Sequence, residues 1–203
     1  MDASIVVARP QAPRELVLLF HGVGSSAANL VPLAQLIARQ RPQAMVVSVD
    51  AANPSGFGAG REWFSVAGVT ETNRPARIAA AMPQFESAIR KWQAEAGVGP
   101  AGTSLVGFSQ GAIMSLESSQ VADLAHRVVS ISGRFAQPPR RAPAGVVFRF
   151  VHGENDPVIE ARFSAEAVQT LQALGGDASA HFVPRLGHGI DERAAQLVLE
   201  SLG

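Results

Sequence analysis

A serine, a histidine and a carboxylate, the residue types that together make a hydroxyl nucleophilic, each occur in this sequence where a fold could expose them. Ser109 lies in Gly107-Phe108-Ser109-Gln110-Gly111, a G-x-S-x-G pattern. Before it runs an apolar segment, Thr103 to Phe108; after it, Ala112, Ile113 and Leu116 make one apolar helical face. A strand that reverses directly into a helix holds its apex residue in a strained backbone with the side chain thrust outward, and it needs small neighbours. A Gly-rich turn without chemistry has the same composition, so the partners must decide.

A serine hydroxyl at neutral pH needs a base within hydrogen-bond reach, and the base needs an orienting acid. Where the nucleophile sits on such an elbow, the chain order is serine, then acid, then histidine. His188 lies in PRLGHGID, between a strand ending at Val183 and the last helix, flanked by Gly187 and Gly189. His126 precedes a strand and His181 lies inside one, so both read as surface or packing residues. Asp156, in VHGENDPVI, follows the strand Val146 to Val151 and precedes a proline; Glu154 is its local competitor. Asp177 falls at the amino end of its strand, and Asp191 reads as a helix cap. A base must be neutral to work, so activity is expected to fall as pH drops through its pKa, about 6.5 for an unperturbed imidazole.

Serine attack on a carbonyl also requires two N–H donors for the oxygen that becomes negative. Gln110, first in its helix, offers a free amide aided by the helix dipole. The second donor is expected from LLFHGVGSS, where Gly22 and Gly24 let the backbone turn the Val23 amide inward. The same loop reads less well as a phosphate cradle, because no Gly-Lys-Ser or Gly-Lys-Thr follows.

These residues need a scaffold, and the chain supplies one by alternation. Strands are expected at Ile5 to Ala8, Leu16 to Phe20, Ala44 to Val49, Thr103 to Phe108, Arg127 to Ile131, Val146 to Val151 and Ala178 to Val183. Helices are expected at Leu30 to Arg39, Pro83 to Ala96, Gln110 to Ser119, Ala161 to Leu174 and Asp191 to Leu202. Met82, Phe85, Ile89 and Trp92 carry the second of these, and Pro83 should kink or restart it. Between Ala51 and Gly68 the chain reads as one long Gly-rich loop holding Phe57, Trp63 and Phe64. Gln137 to Pro143 reads as a connection, with Arg140 and Arg141 too isolated to form a basic patch. Strand and helix in turn predict a three-layer α/β fold around a mostly parallel sheet, with ligands at the carboxyl ends of its strands.

Bulk properties remove whole classes of function. The 203 residues carry 17 Lys and Arg against 17 Asp and Glu, so no net field recruits nucleic acid or an anionic membrane. A chain of this length fits one domain, residues 1–203. The absence of cysteine excludes disulfides, thiolate metal sites and a thiol nucleophile; no metal or cofactor is expected. The first residues carry only a short apolar run, with no basic lead-in and no cleavage site, so no signal peptide is expected. No apolar stretch approaches the ~18 residues of a spanning helix. A cytoplasmic protein, monomeric or homodimeric, is expected.

Together the segments LLFHGVGSS, REWFSV, LVGFSQGAIMSL, VHGENDPVI and LGHGI resemble the phospholipase/carboxylesterase family of α/β hydrolases, which includes bacterial carboxylesterases and acyl-protein thioesterases. The resemblance runs over nearly the whole chain. It implies an α/β-hydrolase sheet of about seven strands with helices on both faces, a triad of Ser109, Asp156 and His188, and oxyanion donors at Val23 and Gln110. It also implies small ester or thioester substrates with short to medium acyl chains. His21 and His152 fall in the family's His-Gly pairs and read as structural. Many relatives have HGxGD in the early loop, where this chain has Ser25, which leaves loop geometry open. No insertion is long enough for a cap domain. Phe57, Trp63, Phe64, Val158 and Leu186 are candidates to line the acyl site. Lysophospholipase and thioesterase activities are rivals within the enzyme reading. A binding protein without turnover on the same scaffold is the alternative outside it.

Overall fold

Leu16, Leu18 and Phe20 pack into one apolar cluster and Val17 and Leu19 into another. A strand that is apolar on alternate sides and buried throughout must be covered on both faces. The same split recurs in the neighbouring strand, with Met45, Val47 and Val49 on one side and Ala44 and Val46 on the other. These two strands lie inside a sheet sandwiched between helices.

The computed structural model describes residues 3–56 and 59–203. In chain order the elements begin β1 (Ile5–Ala8), β2 (Glu15–Phe20), α1 (Val31–Gln40), β3 (Ala44–Val49), β4 (Asn53–Pro54), β5 (Arg61–Glu62) and α2 (Arg74–Ala96). They continue with β6 (Thr103–Phe108), α3 (Gln110–Val121), β7 (Arg127–Ile131), β8 (Val147–Gly153), α4 (Arg162–Ala173), β9 (Asp177–Val183) and α5 (Glu192–Ser201). Seven strands form the main sheet in the order β1-β3-β2-β6-β7-β8-β9. Only β1 runs antiparallel to its neighbour. Helices α1 and α5 cover one face through Leu33, Ile37, Ala194 and Val198. The other face takes α2 and α3 through Phe85, Ile89 and Met114, and α4 through Leu171.

Register brings the functional loops to one rim. Phe20 pairs with Gly107 and Gly107 with Ser130, while Phe108, Ile131 and Val151 are partners in the next row. The chain therefore leaves β2, β6, β7, β8 and β9 at neighbouring points, which is where parallel α/β sheets hold ligands.

Two expectations need correction. Helix α2 begins at Arg74, not at Pro83, and continues unbroken past it, although proline removes the bond to the carbonyl four residues back. Pro83 and Ala79 are both exposed, so water can serve that carbonyl, while Ile78, Met82, Phe85, Ile89 and Trp92 stay buried across the break. The stretch from Ala51 to Gly68 is not one unstructured loop. Its β4 and β5 form a short antiparallel ribbon, and Arg61 adds a bridge to Ser25. Elsewhere element ends differ by one or two residues, and β8 extends to include His152 and Gly153.

Helix α3 is buried along almost its whole length, including its polar residues. Those residues hold the connection after β7: Glu117 accepts from the Ala136 amide at 2.7 Å, and Gln120 from the Arg140 and Arg141 amides at 2.8 and 3.1 Å. Arg140 and Arg141 pair with Glu117 and Asp123, so their charge is locally balanced.

Candidate active site

Ser109 sits between β6 and α3 with φ 52° and ψ −114°, a conformation that non-glycine residues rarely adopt. Bonds on both sides hold it there: its amide donates to Ile131 O at 2.9 Å and its carbonyl accepts from Ile113 N at 3.0 Å. The flanking glycines are a matter of space. A Cβ on Gly107 would lie 2.4 Å from Ala112 Cα, and one on Gly111 would lie 2.1 Å from Phe20 O. The pattern thus lets helix α3 start directly against the ends of β2 and β6.

His188 and Asp156 meet this serine. His188 Nε2 lies 2.8 Å from Ser109 Oγ, and His188 Nδ1 lies 2.7 Å from Asp156 Oδ2. A carboxylate accepts only, so Nδ1 carries the proton and Nε2 presents its lone pair to the hydroxyl. The imidazole is reachable, its side chain 16% exposed, whereas that of Asp156 is fully buried. Phe108 packs on the imidazole with ring centroids 5.1 Å apart.

The carboxylate of Asp156 is fully used. Oδ1 accepts from the Val158 and Ile159 amides at 2.9 and 3.0 Å, and Oδ2 serves His188. Burial raises the pKa of this carboxyl, but the Ile159 amide, the His188 ring and the Val158 amide together outweigh it and hold the pKa below its ordinary value. His152 stands behind it, buried, with Nε2 3.3 Å from Asp156 Oδ2. That nitrogen donates to Ile159 O at 2.8 Å, and Nδ1 accepts from Ser164 Oγ at 2.7 Å. Burial pushes its pKa down, so the ring is neutral. The loops carrying Asp156 and His188 are also joined, Asn155 N donating to Leu186 O at 2.9 Å.

On the other side of the serine the loop after β2 comes close: a Cβ on Gly22 would be 3.3 Å from Ser109 Cβ. His21, buried and with its pKa lowered by burial, donates from Nδ1 to Gly22 O at 2.7 Å and accepts from Ala51 N at 3.1 Å. Gly24 N donates to Arg61 O at 2.9 Å, and Arg61 N to Ser25 O at 2.7 Å. The Val23 and Gln110 amides have no acceptor among the described residues. At Ser25, the position that departs from HGxGD, the backbone bridges to Arg61, and the carboxylate that Arg61 meets comes from Asp50 at 2.8 Å.

Of the residues expected to line the acyl site, Val158 is 66% exposed beside Asp156 and Leu186 is half-buried over the rim. Trp63 and Phe64 are buried in the core beneath it. Phe57 lies outside the described residues. Glu154 is exposed, Asp177 pairs with Arg149, and Asp191 caps α5 by accepting from Ala194 N at 2.8 Å. His181 is exposed on β9. Sequence reasoning missed the packing of Phe108 on the base and the contact of His152 with the acid. Neither leaves a periodic signal, although His152 was marked by its His-Gly pair. A cavity of about 260 Å³ lined by Arg134, Phe135 and Phe163, and one of about 310 Å³ between α2 and α3, involve none of these residues. Among the described residues no group of His, Asp and Glu could hold a metal ion, and no helix is long and apolar enough to cross a membrane.

Comparison with known proteins adds an independent line. A family model described as phospholipase/carboxylesterase matches residues 1–203. Esterase YpfH of Escherichia coli (strain K12) is 45% identical over 199 residues, covering 97% of this chain and 86% of that protein. Among solved structures, esterase PE8 superposes with a TM-score of 0.89 at 29% identity, over 99% of this chain and 96% of its own. The Bacillus cereus carboxylesterase shares the fold, with a TM-score of 0.82 at 18% identity over 98% and 92% of the two chains.

Proposed function

Since the chain belongs to the phospholipase/carboxylesterase family and is a carboxylic ester hydrolase, we propose that it works through a Ser109-His188-Asp156 triad and an acyl-enzyme. Ser109 Oγ attacks the acyl carbonyl carbon while its proton passes to His188 Nε2. The carbonyl oxygen becomes negative and is met by the Val23 and Gln110 amides. As the tetrahedral species collapses, the bond to the leaving oxygen breaks and that oxygen takes the proton from Nε2. Water then gives a proton to Nε2 as its oxygen attacks the acyl carbon; the bond from that carbon to Ser109 Oγ breaks, Oγ takes the proton back from Nε2, and the acid leaves. Asp156 keeps the ring in the tautomer with its lone pair on Nε2 and stabilises it when charged. With its carboxyl pKa lowered, Asp156 is ionised wherever the base works.

The observation that most supports this reading is the continuous line from Ser109 Oγ to His188 to Asp156, with contacts of 2.8 and 2.7 Å. The substrates are small esters or thioesters reaching an uncapped site from the rim of a single domain, with Val158 and Leu186 beside the acyl group. The reading is tested with a p-nitrophenyl ester series and matched thioesters. Ser109→Ala should lose about 10⁴-fold or more in kcat while its circular dichroism and melting stay those of the parent chain. Retained turnover in that variant, or a rate that stays flat between about pH 5 and 8, would contradict it.

A further inference from the structure

From its bonds to the Gln110 side chain and to the His21 carbonyl, on the two segments that carry the oxyanion donors, we infer that Trp63 is a positioning residue for the reaction, tying the loop after β2 to the start of α3. The inference rests on the triad reading above and concerns only how its donors are held.

The tie begins at Gln110, whose amide is one donor. Its side chain is bonded at both polar atoms: Oε1 accepts from Trp63 N at 2.8 Å and Nε2 donates to Phe64 O at 2.7 Å. The first residue of α3 is thus bound twice to the backbone of residues 63 and 64. From the same Trp63, the indole Nε1 donates to His21 O at 2.8 Å. That carbonyl belongs to the peptide between His21 and Gly22. The next carbonyl, Gly22 O, is held by His21 Nδ1 at 2.7 Å and Ser25 N at 3.3 Å. Gly22 C=O and Val23 N–H share one planar trans peptide, so fixing the carbonyls at 21 and 22 fixes where the Val23 amide points.

The indole cannot turn away from this task. Trp63 is 6% exposed, and its ring meets Phe20 at 5.4 Å and Phe85 at 5.2 Å, both edge to face. Arg61, two residues earlier, grips the far end of the same loop through Gly24 and Ser25. One short segment, Arg61 to Phe64, therefore sets the distance between the two halves of the oxyanion site. Displacing one half by a fraction of an ångström would weaken charge stabilisation without touching the substrate.

A residue that lines the acyl site and one that holds the donors give different kinetics. Trp63→Phe keeps an aromatic ring against Phe20 and Phe85 but removes the N–H. We expect its kcat, per active site counted by fluorophosphonate labelling, to fall about 10- to 100-fold on p-nitrophenyl acetate, butyrate and octanoate alike. KM should stay within about twofold, and the pH profile should not move. The phosphonylation rate of Ser109 should fall in parallel. Should Trp63→Phe fail to fold, 3-benzothienylalanine at this position removes the N–H and keeps the shape, with the same expectation. An unchanged kcat per labelled site, or a loss confined to KM and graded with acyl length, would overturn the inference. Failure of the triad reading itself would look different, because Ser109 of the parent chain would then not label at all.

Discussion

Two carboxylates on one rim of the sheet stand beside two buried histidines, and one of the carboxylates, Asp156, is also linked to the serine through a further histidine, His188. Asp50, after β3, lies 3.2 Å from His21 Nε2 but is bonded to Arg61 at 2.8 Å and to the Ala27 amide at 2.9 Å. Asp156, after β8, lies 3.3 Å from His152 Nε2, and among the described residues its ion-pair partners are His152 and His188. An arginine keeps its charge at every working pH, so Asp50 is neutralised permanently and acts as a strut for the loop bearing Val23. Asp156 has amides to solvate it and no fixed cation, so its charge remains available to an imidazole that gains and loses a proton.

Exchanging the two carboxylates for amides sharpens that contrast. Asp156→Asn should lower kcat by about 10⁴-fold with little change in melting, because an amide presents an N–H or a neutral oxygen where the ring needs an anion. Asp50→Asn should do the reverse, costing about 1 to 3 kcal/mol of stability by leaving Arg61 without its carboxylate, while kcat stays within about tenfold. Both measured by steady-state kinetics and urea titration, equal kinetic losses in the two variants would break the comparison.

The histidines give a second, smaller effect. His21 and His152 have pKa values lowered chiefly by burial, as does half-buried His126. Their folded-state pKa lies below the unfolded one, so the unfolded chain binds more protons as pH falls past about 6.5. Stability should be highest above that pH and drop on acidification, by up to about 1.4 kcal/mol per pH unit for each such ring. Replacing His152 by Asn should make urea midpoints between about pH 7 and 5 less pH-dependent; an unchanged slope would mean that this ring is not held neutral. The smallest effect should come from a third carboxylate, the half-buried cap Asp191. Asp191→Ala should cost about 1 kcal/mol and leave kcat unchanged, since its partners are Ala194 N and Arg193.

Much of this arrangement could be read from residue order, because it depends on local pattern. The apolar run before Ser109, the two glycines whose Cβ atoms would strike Ala112 and Phe20, and the placing of Asp156 and His188 just past strand ends are all short-range signals. What escaped depends on distant partners. Pro83 suggested a helix boundary, yet Ala79, whose carbonyl loses its bond, is an exposed residue open to water, and the buried face of α2 keeps the helix whole. Strands of two residues have no period, so β4 and β5 read as loop. The sequence offers Trp63 only as a candidate acyl contact, on a loop expected near the same rim. Its bonds to His21 and Gln110 cross 42 and 47 residues of sequence, and no local rule reaches that far.

The most direct test is chemical. Incubating the full chain with a fluorophosphonate and weighing it intact should give one phosphonyl adduct, formed as the serine oxygen displaces fluoride, and digestion should locate it at Ser109. Asp50→Asn should label within about tenfold of the parent rate, Asp156→Asn and His188→Ala only very slowly, and Ser109→Ala not at all. An unlabelled parent chain, or an adduct that persists after Ser109→Ala, would contradict the account.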